Sequence, residues 1–174
     1  MITTRLHGRL GNQMFQYAAA RGLAARLGTS VALDARLART RDEGVLTRVF
    51  DLPVVSADIL PPLKADAPLR YAAWRLASPR FHRENGLGYN STIESFADGS
   101  YLHGYWQSER YFAHIAPEIP RDFTFPPFSS PQNAEMATRI GEGLAIALHV
   151  RRGDYLSLGA HTLCDQAYYD AALA

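Results

Sequence analysis

Two adjacent arginines, a glycine and an aspartate stand in the segment His149-Val150-Arg151-Arg152-Gly153-Asp154-Tyr155. An arginine fork binds two phosphate oxygens at once, and each charge-assisted bond contributes about 1.5–3 kcal/mol. Neighbouring side chains on extended backbone point to opposite faces. One arginine can therefore meet a ligand while the other meets structure, with Asp154 placed to hold a guanidinium. The same residue types also suit a surface turn with solvated charges, and from position alone both readings stay open.

A second constellation is His7-Gly8-Arg9-Leu10-Gly11-Asn12-Gln13. Two glycines let backbone amides approach a ligand closely, a following helix N-terminus favours negative charge, and Arg9 adds a full positive one. The turn is neither G-x-G-x-x-G nor G-x-x-x-x-G-K-[ST], so the dinucleotide and P-loop fingerprints are missing. An ordinary strand-to-helix turn is the competing reading. The third constellation is Gly104-Tyr105-Trp106-Gln107-Ser108-Glu109-Arg110-Tyr111-Phe112. Aromatic faces beside an amide and a carboxylate suit a sugar, although Tyr111 and Phe112 also read as core. The histidines His7, His82, His103, His114, His149 and His161 form no H-E-x-x-H, and no D-x-D appears. No metal site is expected.

These residues need elements to hold them. Residues 2–6 read as a strand, followed by the Gly turn, then by a helix capped by Asn12 and stopped at Gly28. Tyr17, Ala20, Leu23, Ala24 and Leu27 share one helical face. A second strand over 30–34 completes a βαβ unit, which implies a parallel sheet. Prolines break 35–100 repeatedly, with a short helix expected over 69–76. Residues 101–106 read as a strand, Ser108 as the cap of a helix through Ile115, and 117–131, with five prolines, as a connector. A helix is expected over 133–142. Leu144–Val150 reads as a buried parallel strand with the arginine loop at its carboxyl end, where open α/β sheets bind ligands. A last helix starts after Asp165.

The whole chain bounds the function. Its 174 residues fit about one domain with a little left over, and 47% hydrophobic against 20% charged residues is a globular composition. Eighteen basic residues against 17 acidic give a net charge of +1, so the chain as a whole has no field of one sign to hold nucleic acid or an anionic membrane. Among the basic residues only Lys64 is not arginine, so an anion site here uses Arg forks. A single cysteine, Cys164, excludes an intrachain disulfide and fits a reducing cytoplasm. No secretory leader and no membrane-spanning run is visible.

Together the three segments resemble the α-1,2-fucosyltransferases, glycosyltransferase family 11. The motifs occur in the family's order, and the tail with Cys164, Tyr168 and Tyr169 also looks like the family's segment after its H-x-R-R-x-D motif. The match is loose over 35–100. The resemblance implies an α/β, GT-B-like fold with the active site between two Rossmann-like domains. Residues 1–130 would be the N-terminal, acceptor-side, parallel-sheet domain. Residues 131–174 would be the truncated start of the C-terminal, GDP-fucose-binding domain. The family continues well past this point, so the chain is expected to be a fragment and weak or inactive alone.

The activity implied is inverting transfer of L-fucose from GDP-β-L-fucose to O2 of a terminal β-galactoside, with no metal and no cofactor. Arg151 is the first choice to stabilise the leaving diphosphate, with His149 and Asp154 beside it as catalytic residues. Arg9, Gly11, Asn12, Gln13, Arg151 and Arg152 would bind the donor, and Tyr105, Trp106, Gln107 and Glu109 the acceptor. His7, Asp154 and Glu109 compete, in that order, as the base. The expected location is the bacterial cytoplasm or the inner face of its membrane, with any membrane association peripheral. A GDP-sugar transferase with another acceptor, and a non-catalytic GDP- or glycan-binding remnant, are the alternatives.

Overall fold

The computed structural model describes residues 1–39, 45–57, 60–86, 88–150 and 164–173. Arg151, Arg152 and Asp154 therefore lie outside the described residues. The chain divides into two compact units, Met1–Pro126 and Pro127–Ala174, with the division inside the proline-rich connector.

The first unit is built on five parallel strands. They are β1 (Ile2–Arg5), β2 (Val31–Asp34), β3 (Val54–Val55), β4 (Phe81–Arg83) and β5 (Tyr101–His103), ordered β3-β2-β1-β5-β4. The expected βαβ start is present: β1, helix α1 (Leu10–Leu27), then β2 paired parallel to β1 with Arg5 opposite Asp34. This is a Rossmann-like α/β arrangement.

Strand alternation sorts the two faces. Ile2 and Leu6 lie with Val31 and Leu102 in the core, where Tyr17, Ala20, Leu23 and Ala24 of α1 cover them. Full burial of a residue such as Leu23 is worth about 1.5–3 kcal/mol. Leu27, expected on the same face, is instead largely exposed at the helix end. Ala18 is buried on a different side of α1, against Ile115 and Ile119, because chain from beyond β5 folds back over the helix. Two further short helices, α2 (Arg36–Arg39) and α3 (Leu46–Val49), follow β2.

The other sheet face is polar. Thr3, Tyr101 and Phe81 share a row of the register, and Arg5 and Asp34 share another. Helix α4 (Pro68–Ala77) lies on this side, with Trp74 edge-on to Phe81 at 5.2 Å and to Tyr101 at 5.6 Å.

Several expectations shift. Helix α1 begins at Leu10 with Arg9 as its N-cap, not at Asn12. The strand expected over 101–106 ends at His103, and the helix expected after Ser108 is a pair of 3₁₀ turns, Glu109–Tyr111 and Ala113–Ile115. Part of the expected connector is folded: α5 (Ile119–Asp122) packs on α1, with Tyr17 Oη donating to Asp122 at 2.7 Å and Arg21 paired to Glu118 at 2.6 Å. Pro120 fits there because the first turn of a helix has no use for its missing N–H.

The second unit holds α6 (Pro131–Gly141), capped by Ser130, and α7 (Gln166–Leu173), where Asp165 Oδ1 accepts from the Tyr168 amide at 2.9 Å. Leu144–Val150 forms no strand among the described residues. Among the described residues no backbone pairs with this segment, and Leu144, Ile146, Leu148 and Val150 are all exposed.

Candidate functional site

The chain runs from β1 outward to β2 and β3, then crosses to β4 and returns to β5. The order therefore reverses between β1 and β5, and ligands of open α/β sheets bind outside the carboxyl ends of strands at such a point. The two chain segments that leave there are His7–Gln13 from β1 and Gly104–Phe112 from β5. These are the second and third constellations, brought together by the topology.

Two buried glutamines shape the first segment. Gln16 accepts from the His7 amide at 3.0 Å and donates to the His7 carbonyl at 3.0 Å. Gln13 donates to the Gly8 carbonyl at 2.8 Å and accepts from the Leu46 amide at 2.9 Å. Both side chains are completely buried, so Gln13 braces the turn from beneath. Gly8 has φ +72°, and a Cβ there would also collide with Asn12. Gly11 is different: it is exposed and a Cβ on it would meet nothing.

The second segment hangs on Glu84, just beyond β4. Its carboxylate accepts from the Tyr105 amide at 2.6 Å and the Trp106 amide at 2.9 Å. Gly104 passes so close to Glu84 that a side chain at 104 would collide with it. Trp106 adopts φ +54°, a region costly for a bulky residue, and turns inward against Tyr111 at 5.5 Å. Only 2% of Trp106 is exposed, so it offers no stacking face, whereas Tyr105, Gln107 and Glu109 face outward.

The segments touch. Gln107 Nε2 donates to Asn12 Oδ1 at 2.7 Å, and the His7 ring lies 4.7 Å from Tyr105 and 5.6 Å from His103. Beneath them, Asp34 is almost wholly buried and takes two 2.8 Å bonds from Arg36 and one of 2.6 Å from Tyr101. Burial acts to raise the Asp34 pKa, but the bonds from Arg36 and Tyr101 overcome it and hold the carboxyl below its ordinary value. Arg5, only 4% exposed, donates to Tyr101 Oη at 2.9 Å.

Among the described residues, four buried side-chain polar atoms have no hydrogen-bond partner: Thr4 Oγ1, Arg5 Nη2, His103 Nδ1 and Trp106 Nε1. All four belong to β1, β5 or the turn after β5, the two strands that flank the reversal. Burial, then the charge of Arg5, with His7, Arg83 and Arg75 adding to it, pushes the His103 pKa down to about 4. His103 is therefore a neutral imidazole at pH 7.

Sequence reading singled out His7, Arg9, Gly11, Asn12, Tyr105, Gln107 and Glu109, and the fold places these on the segments that leave the carboxyl ends of β1 and β5. It missed Arg5, Asp34, Glu84 and His103. Arg5 and His103 carried a signal, since each is a polar residue ending a strand beside a motif. Glu84 carried none. His149 is exposed in the second unit. Among the described residues, no three His, Cys, Asp or Glu side chains gather as a metal site, and no helix is long and apolar enough to cross a membrane.

The sequence profile of glycosyl transferase family 11 matches residues 1–174. An alpha-1,2-colitosyltransferase of Escherichia coli is 31% identical over 97% of this chain and 61% of its own length. The galactoside 2-alpha-L-fucosyltransferase Sec1 of Mus musculus is 28% identical over 99% of this chain and 45% of its own length. The chain thus spans between about half and three-fifths of these curated relatives. No solved structure matches it.

Proposed function

The chain belongs to glycosyl transferase family 11, and from that premise we propose that it is part of an enzyme that transfers L-fucose from GDP-β-L-fucose to O2 of a terminal β-galactoside with inversion. The observation that carries this reading is the meeting of the His7–Asn12 turn and the Tyr105–Gln107 turn at the strand reversal, tied by the Gln107–Asn12 bond. One turn offers backbone amides, an exposed glycine and Arg9 for an anionic donor. The other offers an exposed aromatic face, an amide and a carboxylate for a sugar.

In this reading the galactose O2 forms a bond to C1 of fucose as the bond from C1 to the diphosphate oxygen breaks. GDP leaves with the electron pair. Arg151 binds the diphosphate and stabilises its developing charge, and loss of one such group costs about 10²–10³ in rate. Arg152 and Asp154 support it, and His149 orients them or contacts the donor. Arg9, Gly11 and Asn12 meet the donor, while Tyr105, Gln107 and Glu109 meet the acceptor. His7 takes the hydroxyl proton. Its Nδ1 lies 3.4 Å from the Arg5 carbonyl oxygen and 3.3 Å from Gln16 Nε2, and the base role requires the tautomer in which Nδ1 donates to Arg5 rather than accepting from Gln16, leaving the lone pair on Nε2.

A second reading keeps the chemistry and changes the donor sugar to colitose, as favoured by the relative that is 31% identical. The test is a transfer assay with the intact gene product, GDP-fucose and GDP-colitose as donors, and β-galactosides, peptides and N-glycan cores as acceptors. An α-1,2-linked fucosyl galactoside, absent with Arg151→Ala, is the expected product. Preferential use of GDP-colitose selects the second reading. Transfer only to peptides or N-glycan cores, or wild-type turnover by Arg151→Ala, overturns the assignment.

A further inference from the structure

Helix α4 has a face that the sheet does not use. Trp74 packs on Phe81 and Tyr101, and Tyr71 lies beside it at 6.2 Å. On the opposite side Leu69, Ala72, Ala73 and Leu76 recur at i, i+3, i+4 and i+7, which makes one stripe. All four are exposed, Leu69 at 85% and Leu76 at 89%. Packing in the first unit thus faces the aromatic residues inward and leaves the leucines in solvent.

The borders of the stripe are cationic. Arg70 lies about 100° round the helix from Leu69, and Arg75 about 100° the other way from Leu76. Lys64 stands in the turn before the helix. A groove of about 430 Å³ beside the stripe is lined by Lys64, Pro68, Tyr71, Ala72, Arg75 and Leu76. Lys64, Arg70 and Arg75 form no ion pair with a carboxylate among the described residues. Across 60–80 Asp66 is the single acidic residue, against Lys64, Arg70, Arg75 and Arg80.

We infer that α4 is a membrane-contact helix: Leu69 and Leu76 insert among the headgroups of an anionic bilayer while Lys64, Arg70 and Arg75 engage lipid phosphates. An apolar stripe edged by cations is the pattern of a helix lying in a membrane interface, because the long basic side chains reach up to the headgroups while the apolar ones sink. The charge pattern selects an anionic surface over a neutral one. The stripe is short, about 10 Å between its two leucines at 1.5 Å per residue. Its four side chains are far fewer than the roughly 20–30 residues a side of a stable protein interface, which favours shallow lipid contact over a protein partner. The inference is independent of the catalytic reading.

Flotation with vesicles of phosphatidylcholine, with and without phosphatidylglycerol, tests it. The purified protein binds the anionic vesicles, and binding falls as salt is raised. Leu69→Ser/Leu76→Ser lowers partitioning at least about tenfold, and Arg70→Gln/Arg75→Gln does the same while flattening the salt dependence. All four side chains are exposed, so far-ultraviolet circular dichroism and melting stay unchanged. Equal binding to both vesicle types, no binding, or variants that float like the parent overturn the inference. So does self-association in solution that the leucine variant abolishes, which would make a second copy the occupant.

Discussion

Gln107 donates its side-chain amide to the side-chain oxygen of Asn12 at 2.7 Å, across a sequence separation of 95 residues. The bond joins the turn after β1 to the turn after β5 at the point where the strand order reverses. Both residues keep part of their surface in solvent, so the bond holds a rim and not a core.

Asn12→Ala and Gln107→Ala should each leave the fold intact, since an exposed neutral hydrogen bond contributes about 0.5–1.5 kcal/mol. Transfer should fall by roughly tenfold or more in each, because the two halves of the site lose their mutual register. The double variant should lose less than the product of the two single losses. Melting curves and kcat/KM for the set check this, and strictly multiplicative losses would show that the bond does not couple the turns.

Gln13→Ala removes two bonds made in a fully buried place, leaving the Gly8 carbonyl and the Leu46 amide unmatched. Each orphaned group costs about 1–3 kcal/mol, so the pair lowers the melting temperature by roughly 4–24 °C at about 2–4 °C per kcal/mol. A calorimetric scan reads it. A variant as stable as the parent, with weaker donor binding, would instead place Gln13 at the ligand.

Gly11→Ala separates packing from ligand approach. A methyl group at 11 meets no atom, and in a helix it should stabilise by about 0.5–1 kcal/mol. If the donor rests on this glycine, the same methyl raises the donor KM several-fold. Higher stability with unchanged KM would remove Gly11 from the donor site.

His103 makes stability depend on pH. Its pKa falls from 6.5 to about 4 on folding, so between those values the unfolded chain binds more protons than the native one. The contribution is complete above about pH 6.5 and is lost as pH falls toward about 4. Asp34, held below its ordinary value, adds a loss at still lower pH. Urea midpoints at about pH 7.5 and about pH 5 should differ less in His103→Asn than in the parent, and an equal difference would show that His103 titrates normally.

Much of the local structure was legible. Apolar spacing located α1, Gly28 marked its end, and the βαβ start followed, because helical period and a left-handed stop are properties of neighbouring residues. Asn12 was misread as the cap. With Gly8 in the left-handed region the chain enters the helix at Arg9, and the Asn12 side chain is committed to Gln107. Trp106 was misread as a platform because its burial follows from a backbone turn clamped by Glu84, which no local pattern reveals.

The sequence by itself determined the chemistry on offer: a Gly-rich turn with Arg9, an aromatic-amide turn at 104–112, the paired arginines of segment 149–155, and a family resemblance that the profile over 1–174 bears out. Only the tertiary structure decided that β5, and not β4, lies beside β1. That choice puts His103 and Tyr105 against His7, buries Arg5 with Asp34 and Tyr101, and leaves Leu69 and Leu76 facing outward. The reason is physical: parallel pairing joins segments about a hundred residues apart, and its free energy depends on which faces meet, a quantity no local spacing encodes.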